Sequence, residues 1–416
     1  MGKLGELFES FIAFGEGDNW KMILMWVIGA VLIYLAIKKE MEPTLLLPIG
    51  FGAILMNFPG VRTHICANVN CAEKLMEALS ESNPCANCGS VESIIKYGGI
   101  AEPLHELYNA GIANELFPLL LFIGIGAMID FGPLLNNPKL MLFGAAAQFG
   151  IFFTLCMAGM FFPDKVAASI SIIGAADGPT SIVVANTLLG GGPNEGVIGA
   201  ITVAAYSYMA LVPIIQPPII KLLTTKKERR IRMKYEQRNV SKTTRILFPI
   251  IISIVACIFA PGAGSLIGFL MFGNLIRECG VLDSISETAQ KVLANLITIF
   301  LGITIAFNMH AEQFLAPSTL LIMGLGLIAF VVDTAGGVLF AKLYNVIMKL
   351  LGKPLINPMI GAAGISAFPM AGRIVHKIGL EEDNQNFLLM DAIGVNVSGQ
   401  IASVIAGALV LGFFNV

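Results

Sequence analysis

Apolar stretches of membrane-spanning length recur along almost the whole of this chain. An α-helix needs about 20 mostly apolar residues to cross the hydrocarbon core of a bilayer. Only 13% of the residues are charged, against about 25% in a typical soluble domain, so a soluble fold would have too little polar surface to face water. The pattern predicts an all-α polytopic membrane protein and excludes a soluble enzyme, a nucleic-acid-binding protein and a disordered chain. The segments lie near 20–37, 43–58, 114–135, 138–162, 166–190, 196–220, 246–261, 263–278, 290–309, 317–346, 354–378 and 386–414.

The first apolar segment begins at Trp20 and ends at Lys38 and Lys39. The nineteen residues before it are mixed in character and contain four acidic side chains. Because a secretory signal has a basic start and a short apolar core, we expect a retained transmembrane helix within an N-terminal segment, 1–42.

A strongly basic loop, residues 221–245, divides the chain into two halves. It holds ten Lys or Arg residues and only two acidic residues, Glu228 and Glu236. Loops rich in Lys and Arg stay on the cytoplasmic side of a membrane, so we place this loop in the cytoplasm. A nucleic-acid patch is the alternative, but no aromatic residues are interleaved with the basic ones in the way that such a patch requires.

The two halves of the chain resemble each other at three places in the same order, which indicates a duplication. The matches are LLFIGIGAMID from Leu120 with IFLGITIAFNM from Ile299, IIGAADGPTSIVV from Ile172 with MIGAAGISAFPMA from Met359, and VAAYSYM from Val203 with GVNVSG from Gly394. The predicted domains are a first repeat, 43–220, with an insert at 60–99, and a second repeat, 246–416.

Gly and Pro interrupt the segments 166–190 and 354–378, which occupy matching positions in the two halves. Each half has about six apolar segments, so inverted repeats require one segment per half that enters and leaves on the same side. We therefore predict about 11 transmembrane segments in two inverted repeats, with broken or re-entrant helices meeting at the midplane, where transporters of this build bind their substrates.

Asp177 is the strongest candidate for chemistry, because it stands in apolar sequence where a carboxylate is costly. Gly178 and Pro179 follow it and break a helix, which frees backbone carbonyls that can bind a cation. The alternative is a carboxylate that only caps the next helix, which starts at Thr180 and Ser181. The two interpretations are compatible.

The second interrupted segment supplies Asn357 and Ser366, whose neutral oxygens suit a hard cation. Arg373 in the same segment suits a carboxylate ligand, or it is a basic residue whose head reaches the headgroup region beside His376 and Lys377.

Four further polar residues remain. Asn396 and Tyr206 occupy matching places in the two halves. The functional interpretation makes Asn396 a cation ligand and Tyr206 a ligand or proton donor, and the alternative is that each forms a helix–helix hydrogen bond. We expect Asp130 and Asp333 at helix ends near the headgroups.

Four of the seven cysteines lie in the insert with the spacing C-x4-C-x13-C-x2-C: Cys66, Cys71, Cys85 and Cys88. A zinc site and a pair of disulfides both fit this spacing.

Long motifs of the chain resemble the β subunit of the biotin-dependent sodium-pumping decarboxylases, a group that includes the oxaloacetate, methylmalonyl-CoA and glutaconyl-CoA decarboxylases. The motifs are IGIGAMIDFGPLLNNPK, GAADGPTSI, YSYMALVPIIQPPI, NPMIGAAGISAFPMAGR and GVNVSGQIAS. The resemblance runs from about Pro43 to the C-terminus. The N-terminal segment, the cysteine insert and Val395, Ser398 and Gln400 depart from the family pattern.

This resemblance implies a multi-pass subunit of the inner (plasma) membrane. The subunit would decarboxylate carboxybiotin, consume a proton and export Na⁺. Its partners would be a biotin carrier, a carboxyltransferase and a small membrane subunit, in an assembly that is homo-oligomeric. The rival hypothesis is a secondary Na⁺/carboxylate transporter.

The resemblance also implies site residues. The Na⁺ ligands would be Asp177, Asn357, Ser366 and Asn396, with Gly361 at a further functional position of the second motif. Asp177, Tyr206, Ser366 and Arg373 would be catalytic, with Arg373 holding carboxybiotin.

Overall fold

A computed structural model describes residues 20–40, 43–58, 62–64, 95–97, 101–190, 196–233, 240–259 and 261–414. The first half contains ten α-helices, with a π-helical turn at Asn109–Ala113 and a 3₁₀ turn at Ile172–Ala175. The helices are α1 Trp20–Lys38, α2 Pro43–Met56, α3 Ala101–Tyr108, α4 Leu116–Met128, α5 Gly132–Asn136, α6 Leu140–Ala147, α7 Phe149–Ala158, α8 Asp164–Ser171, α9 Gly178–Leu189 and α10 Gly196–Leu223.

The second half begins with a short helix in the basic loop and ends in the long helix α19. A π-helical stretch, Thr288–Leu293, joins α14 to α15, and 3₁₀ turns lie at Pro261–Ala263, Ala306–Asn308 and Pro358–Gly364. The helices are α11 Lys226–Arg229, α12 Lys242–Phe259, α13 Gly264–Cys279, α14 Asp283–Glu287, α15 Ala294–Ile305, α16 Ala311–Phe314, α17 Pro317–Leu350, α18 Met370–Glu382 and α19 Leu389–Phe413.

Two short strands are the described ends of the cysteine insert. β1, Arg62–His64, pairs antiparallel with β2, Ile95–Tyr97, so the two ends of the insert lie side by side. The four cysteines fall outside the described residues, so the zinc or disulfide hypothesis stays a prediction. Within the described part of the chain, no group of three His, Cys, Asp or Glu residues could hold a metal ion.

The prediction of a multi-pass helical membrane protein is confirmed. Among the described residues, six helical stretches are long and apolar enough to cross a membrane, and a bent pair, Pro103–Ala113 with Leu116–Met128, makes up to seven. Eleven crossings therefore exceed what helix length and composition support in the described ranges. The remaining apolar segments form shorter or interrupted helices, among them α2 and α9.

The 3₁₀ turn Pro358–Gly364 lies in the interior of the molecule, packed against α17 and α19. Its backbone touches both helices: a Cβ atom at Gly361 would overlap the carbonyl of Gly337 on α17, and one at Gly399 on α19 would overlap the carbonyl of Gly364. Small residues permit this close approach of backbones in a membrane protein. Larger side chains at these positions would push the broken segment out of the core.

The basic loop is attached to the end of α18. Arg229, which is buried, donates to the Glu382 carboxylate at 2.7 Å, and Arg232 pairs with Asp383 at 2.6 Å. The Arg232 guanidinium holds the pKa of the Asp383 carboxyl below its ordinary value by hydrogen bonding to the ionised form. Asp383 therefore stays charged across the physiological pH range, and this attachment persists.

The expected position of Asp333 is wrong. Asp130 does lie at a helix end, 3.9 Å from Arg245. Asp333 instead lies in the middle of α17 and is 0% exposed. The TAGG sequence after it suggested a helix end, but close packing against neighbouring helices keeps α17 helical through these glycines.

Candidate functional site

The first interrupted segment breaks at Asp177, as its Gly-Pro sequence predicts. The 3₁₀ turn Ile172–Ala175 ends at Ala176, which has a left-handed conformation with φ of 54°, and α9 starts at Gly178. Asp177 is the N-cap of α9, and its Oδ1 accepts a long hydrogen bond of 3.4 Å from the Thr180 amide. Asp177 therefore does cap α9, but the capping hydrogen bond occupies only one of its two carboxylate oxygens.

The other oxygen, Oδ2 of Asp177, is surrounded by three side-chain donors. Thr180 Oγ1 donates to it at 2.8 Å, Ser403 Oγ at 2.9 Å and Gln400 Nε2 at 3.1 Å. Asp177 itself is 3% exposed. These bonds compensate the burial of a carboxylate, and they join the break in the first half to α19 in the second.

Neither Gln400 nor Ser403 was predicted as a site residue from the sequence, where Gln400 stood out only as a departure from the family pattern. They follow Asn396 by four and seven positions on one helix, so the three share a face of α19. That spacing was a usable signal. It could not be recognised without knowing that this face of α19 lies against Asp177.

A cavity of about 280 Å³ opens beside the carboxylate. Four residues predicted for the site line it together, namely Asp177, Tyr206, Ser366 and Arg373, and so does Gln400. Thr44, Asn295 and Arg373, which also line the cavity, are exposed, so it reaches the surface there. Met128 at the end of α4 also lines the cavity, two residues before Asp130, which lies 3.9 Å from Arg245 of the basic loop, so the cavity reaches the side of the basic loop.

Tyr206 lies fully buried against the break, on α10. Its hydroxyl has no hydrogen-bond partner within the described ranges. A Cβ atom at Gly178 would come within 2.6 Å of the Tyr206 ring, so only glycine fits there. The phenol therefore lies directly beside the helix break, with a free donor in a cavity-lining position.

Ser366 connects the two interrupted segments. Its backbone N–H donates to the carbonyl of Ala175 at 2.9 Å, and its hydroxyl donates to the carbonyl of Gly399 at 3.2 Å. The breaks of the two segments are thus hydrogen-bonded to each other in the interior, as the duplication suggested they would meet.

Asn396 is buried behind this junction. Its Nδ2 donates to the carbonyls of Ala363 and Ile365 at 3.1 and 2.7 Å, while its Oδ1 has no partner among described residues. Asn396 does not line the cavity. It fixes the extended backbone that leads to Ser366.

Asn357 lies away from the other predicted ligands, at the opposite end of its 3₁₀ turn. Its Nδ2 donates to the carbonyls of Arg229 and Ile231 at 2.8 and 3.0 Å, and its Oδ1 caps Met359 at 3.1 Å. Its amide is therefore occupied by the basic loop.

Arg373, in contrast, forms no ion pair with any residue that the structure describes.

Comparison with known proteins decides between the two transporter hypotheses. The family model for the Na⁺-transporting oxaloacetate decarboxylase beta subunit matches residues 21–414. This chain belongs to that family. The oxaloacetate decarboxylase beta chain of Klebsiella pneumoniae is 46% identical, with 94% of each chain covered. The methylmalonyl-CoA decarboxylase subunit beta of Propionigenium modestum is also 46% identical, with 96% of each chain covered.

Proposed function

We propose that this chain is the membrane subunit of a Na⁺-translocating decarboxylase, in which loss of CO₂ from carboxybiotin drives Na⁺ outward. The observation that carries the proposal is the cavity lined together by a buried carboxylate, a phenol and a guanidinium, the last two without a side-chain partner among the described residues. Membership of the beta-subunit family supports it. The acyl substrate is bound elsewhere in such a complex, so oxaloacetate and methylmalonyl-CoA are equally compatible with this chain.

Asp177 is the proposed Na⁺ ligand, with oxygens from Ser366, Thr180, Ser403 and Gln400 around it. Hydroxyl and amide groups suit this role, because each can turn an oxygen toward a hard cation when the ion replaces its hydrogen bond. Asn357 is left out of this set because its amide is bound to the basic loop. Asn396 acts by holding the Ser366 segment in place.

Carboxybiotin is the proposed substrate at the open end of the cavity. Arg373 binds its carboxylate as a planar, permanently charged donor pair. The bond between the biotin nitrogen and the carboxyl carbon then breaks, and CO₂ leaves. The electron pair of the bond stays on the nitrogen, which takes up one proton. Tyr206 is the proposed donor of that proton, because the residue lines the cavity and its hydroxyl has no acceptor among the residues that the structure describes.

The two interrupted segments are proposed to be re-entrant hairpins of opposite orientation. Both ends of residues 357–382 contact Arg229, through Asn357 Nδ2 and through the Glu382 carboxylate, which supports entry and exit on one side. The helices α8 and α9 pack against each other, and α9 ends seven residues before Gly196, where α10 starts its run toward the basic loop. This supports a first hairpin that enters from the opposite side.

The test uses the whole complex in lipid vesicles, with Na⁺ uptake and CO₂ release measured together. Avidin, which captures biotin, should stop both. Asp177→Asn keeps the shape of the side chain but removes its charge, and we expect it to abolish both activities. Asp130→Asn, two residues beyond the end of α4 and only half-buried, is the matched control and should retain them. Wild-type Na⁺-dependent decarboxylation by Asp177→Asn would make Asp177 a helix cap only and refute the proposal.

A biotin carrier, a carboxyltransferase and a small membrane subunit are the proposed partners, with more than one copy of this chain in the assembly. The exposed opening at Arg373 and Thr44 is where a carrier would reach the cavity.

A further inference from the structure

A second buried carboxyl group lies close to the site and plays no part in the mechanism above. Asp333 is 0% exposed in the middle of α17, and neither of its oxygens has a hydrogen-bond partner among the residues that the structure describes. The backbone amides of Gly150 and Ile151 at the start of α7 are the donors that approach the carboxyl group, and no side-chain donor of the described residues reaches it.

The depth of Asp333 follows from helix geometry. It lies sixteen residues after Pro317, or about 24 Å along α17, and nine residues before Lys342, or about 13 Å. Lys342 binds the carbonyl of Leu223 and the carboxylate of Glu228, so it marks the basic-loop end of the helix. Asp333 therefore lies in the interior of the bilayer rather than near headgroups.

No counter-charge reaches Asp333 from the elements packed against α17. Its neighbours are α6, α7, α8, α10, α16 and the two 3₁₀ turns of the interrupted segments. Tyr208 donates to the Met323 carbonyl, Lys221 pairs with Glu381, and Tyr206 lies against Gly178. The other titratable groups on these elements are exposed: Cys156, Asp164, Lys165 and Glu312. An ionised carboxylate without partners in this environment is strongly disfavoured.

The carboxyl group also touches the turn that leads into the break at Asp177. A Cβ atom at Gly174 would come within 2.7 Å of Asp333 Oδ2, and one at Gly150 would overlap Oδ1. Gly174 belongs to the 3₁₀ turn Ile172–Ala175, which leads into the break. That turn seals Asp333 on one side, so its displacement would give the carboxyl group new neighbours.

We propose that Asp333 is a proton-binding site: it holds one proton while the turn Ile172–Ala175 lies against α17, and releases it when the turn moves away. The inference concerns protonation at Asp333 and not Na⁺ binding at Asp177, so it goes beyond the proposed function.

Infrared spectroscopy of the protein in lipid vesicles tests whether the proton is present. The wild type should show the C=O stretching band of a protonated carboxyl at neutral pH. Asp333→Asn and Asp333→Ala should each lose that component, while Asp164→Asn, an exposed aspartate, should keep it. Two Asp333 variants are used so that one misfolded protein does not decide the result. Spectra of the folded variants identical to that of the wild type would overturn the proposal.

A cross-link tests whether the turn controls the proton. Ile173 Cγ2 would lie 2.8 Å from a Cβ atom at Gly326 on α17, so Ile173→Cys with Gly326→Cys should form a disulfide that holds the turn in place. We expect the oxidised pair to keep the Asp333 band up to a higher pH than the reduced pair, at a proton concentration at least tenfold lower. Ile173→Cys alone should be unaffected by oxidant. Equal titration of oxidised and reduced protein would overturn the coupling. Na⁺ transport is not the readout, so this outcome is independent of the Asp177→Asn test.

Discussion

At the scale of single residues, the site is built from polar groups that the interior of a membrane tolerates only with partners. Asp177 meets this condition with three donors on one oxygen. Tyr206 and Arg373 line the cavity, and the side chain of neither has a hydrogen-bond or ion-pair partner in the described part of the chain. Groups of this kind in a membrane protein are generally functional, and Tyr206 and Arg373 can be tested by separate substitutions.

Gly178→Ala should displace the Tyr206 ring, because the added Cβ would lie 2.6 Å from it. Overpacking of this kind typically lowers the free energy of unfolding by about 1–3 kcal/mol. We therefore expect Gly178→Ala to have a lower unfolding temperature and a slower decarboxylation than the wild type. Gly324→Ala on α17 is the control, since nothing lies within 4 Å of its added Cβ, and it should leave both measurements close to wild type. Unchanged turnover in Gly178→Ala would show that the position of the phenol is unimportant.

Arg373→Lys separates the two interpretations of Arg373. If the guanidinium binds carboxybiotin, the lysine keeps the charge but loses the paired donors, and carboxybiotin decarboxylation at saturating Na⁺ should fall roughly tenfold or more. Lys377→Arg, one turn further along α18 and exposed, should have no effect. Near-normal turnover by Arg373→Lys would remove this residue from the site and support the headgroup interpretation.

At the scale of elements, the interrupted segments are held by backbone contacts as much as by side chains. The amide of Ser366 bonds to Ala175, and Asn396 holds the carbonyls on either side of Gly364. At its outer end the second segment is attached to the basic loop through Asn357. Because these attachments lie at different ends, they can be disturbed separately.

Asn357→Ala removes two hydrogen bonds to the loop and the cap on Met359. We expect faster trypsin cleavage at Arg229 and Arg232, because the loop loses an anchor worth about 1–3 kcal/mol. Asn186→Ala, which removes a similar bond to Ile112, is the matched control and should not change cleavage. Loss of Na⁺ affinity in Asn357→Ala without any change in cleavage would instead favour the original ligand hypothesis.

At the scale of the whole molecule, the cavity opening, the Arg373 guanidinium that lines it and the basic loop lie on one side. This arrangement suits a soluble carrier that delivers carboxybiotin, provided that the side is cytoplasmic. The charge of the loop supplies the orientation.

Trypsin added to vesicles of known orientation tests this placement. Cleavage within 221–245 should occur in inside-out vesicles and not in right-side-out cells, since the enzyme does not cross the membrane. Detergent-solubilised protein, cut in both cases, is the control. Cleavage from the outside of intact cells would reverse the assigned topology and place the cavity opening away from any cytoplasmic carrier.

Much of the architecture was predictable because hydrophobic length and local breakers act over short distances. The broken helix at Asp177 follows from Gly178 and Pro179, which fix the backbone regardless of the neighbours. Asp333 shows the limit of this reasoning. The glycines after it suggested a helix end, yet they are a packing surface: a Cβ atom at Gly337 would overlap the carbonyl of Gly361, and one at Gly336 would lie 3.3 Å from Phe149 Cβ.

The sequence by itself determined that the chain crosses a membrane, that two helices are interrupted, and that Asp177 stands at one interruption, because each depends on side-chain polarity and backbone propensity near one position. Only the tertiary structure decided which residues share the cavity. Gln400 and Ser403 lie more than two hundred positions from the carboxylate they bind, and Asn357 lies at the wrong end of its turn to join it. Such partnerships depend on how helices pack in three dimensions, which no local pattern encodes.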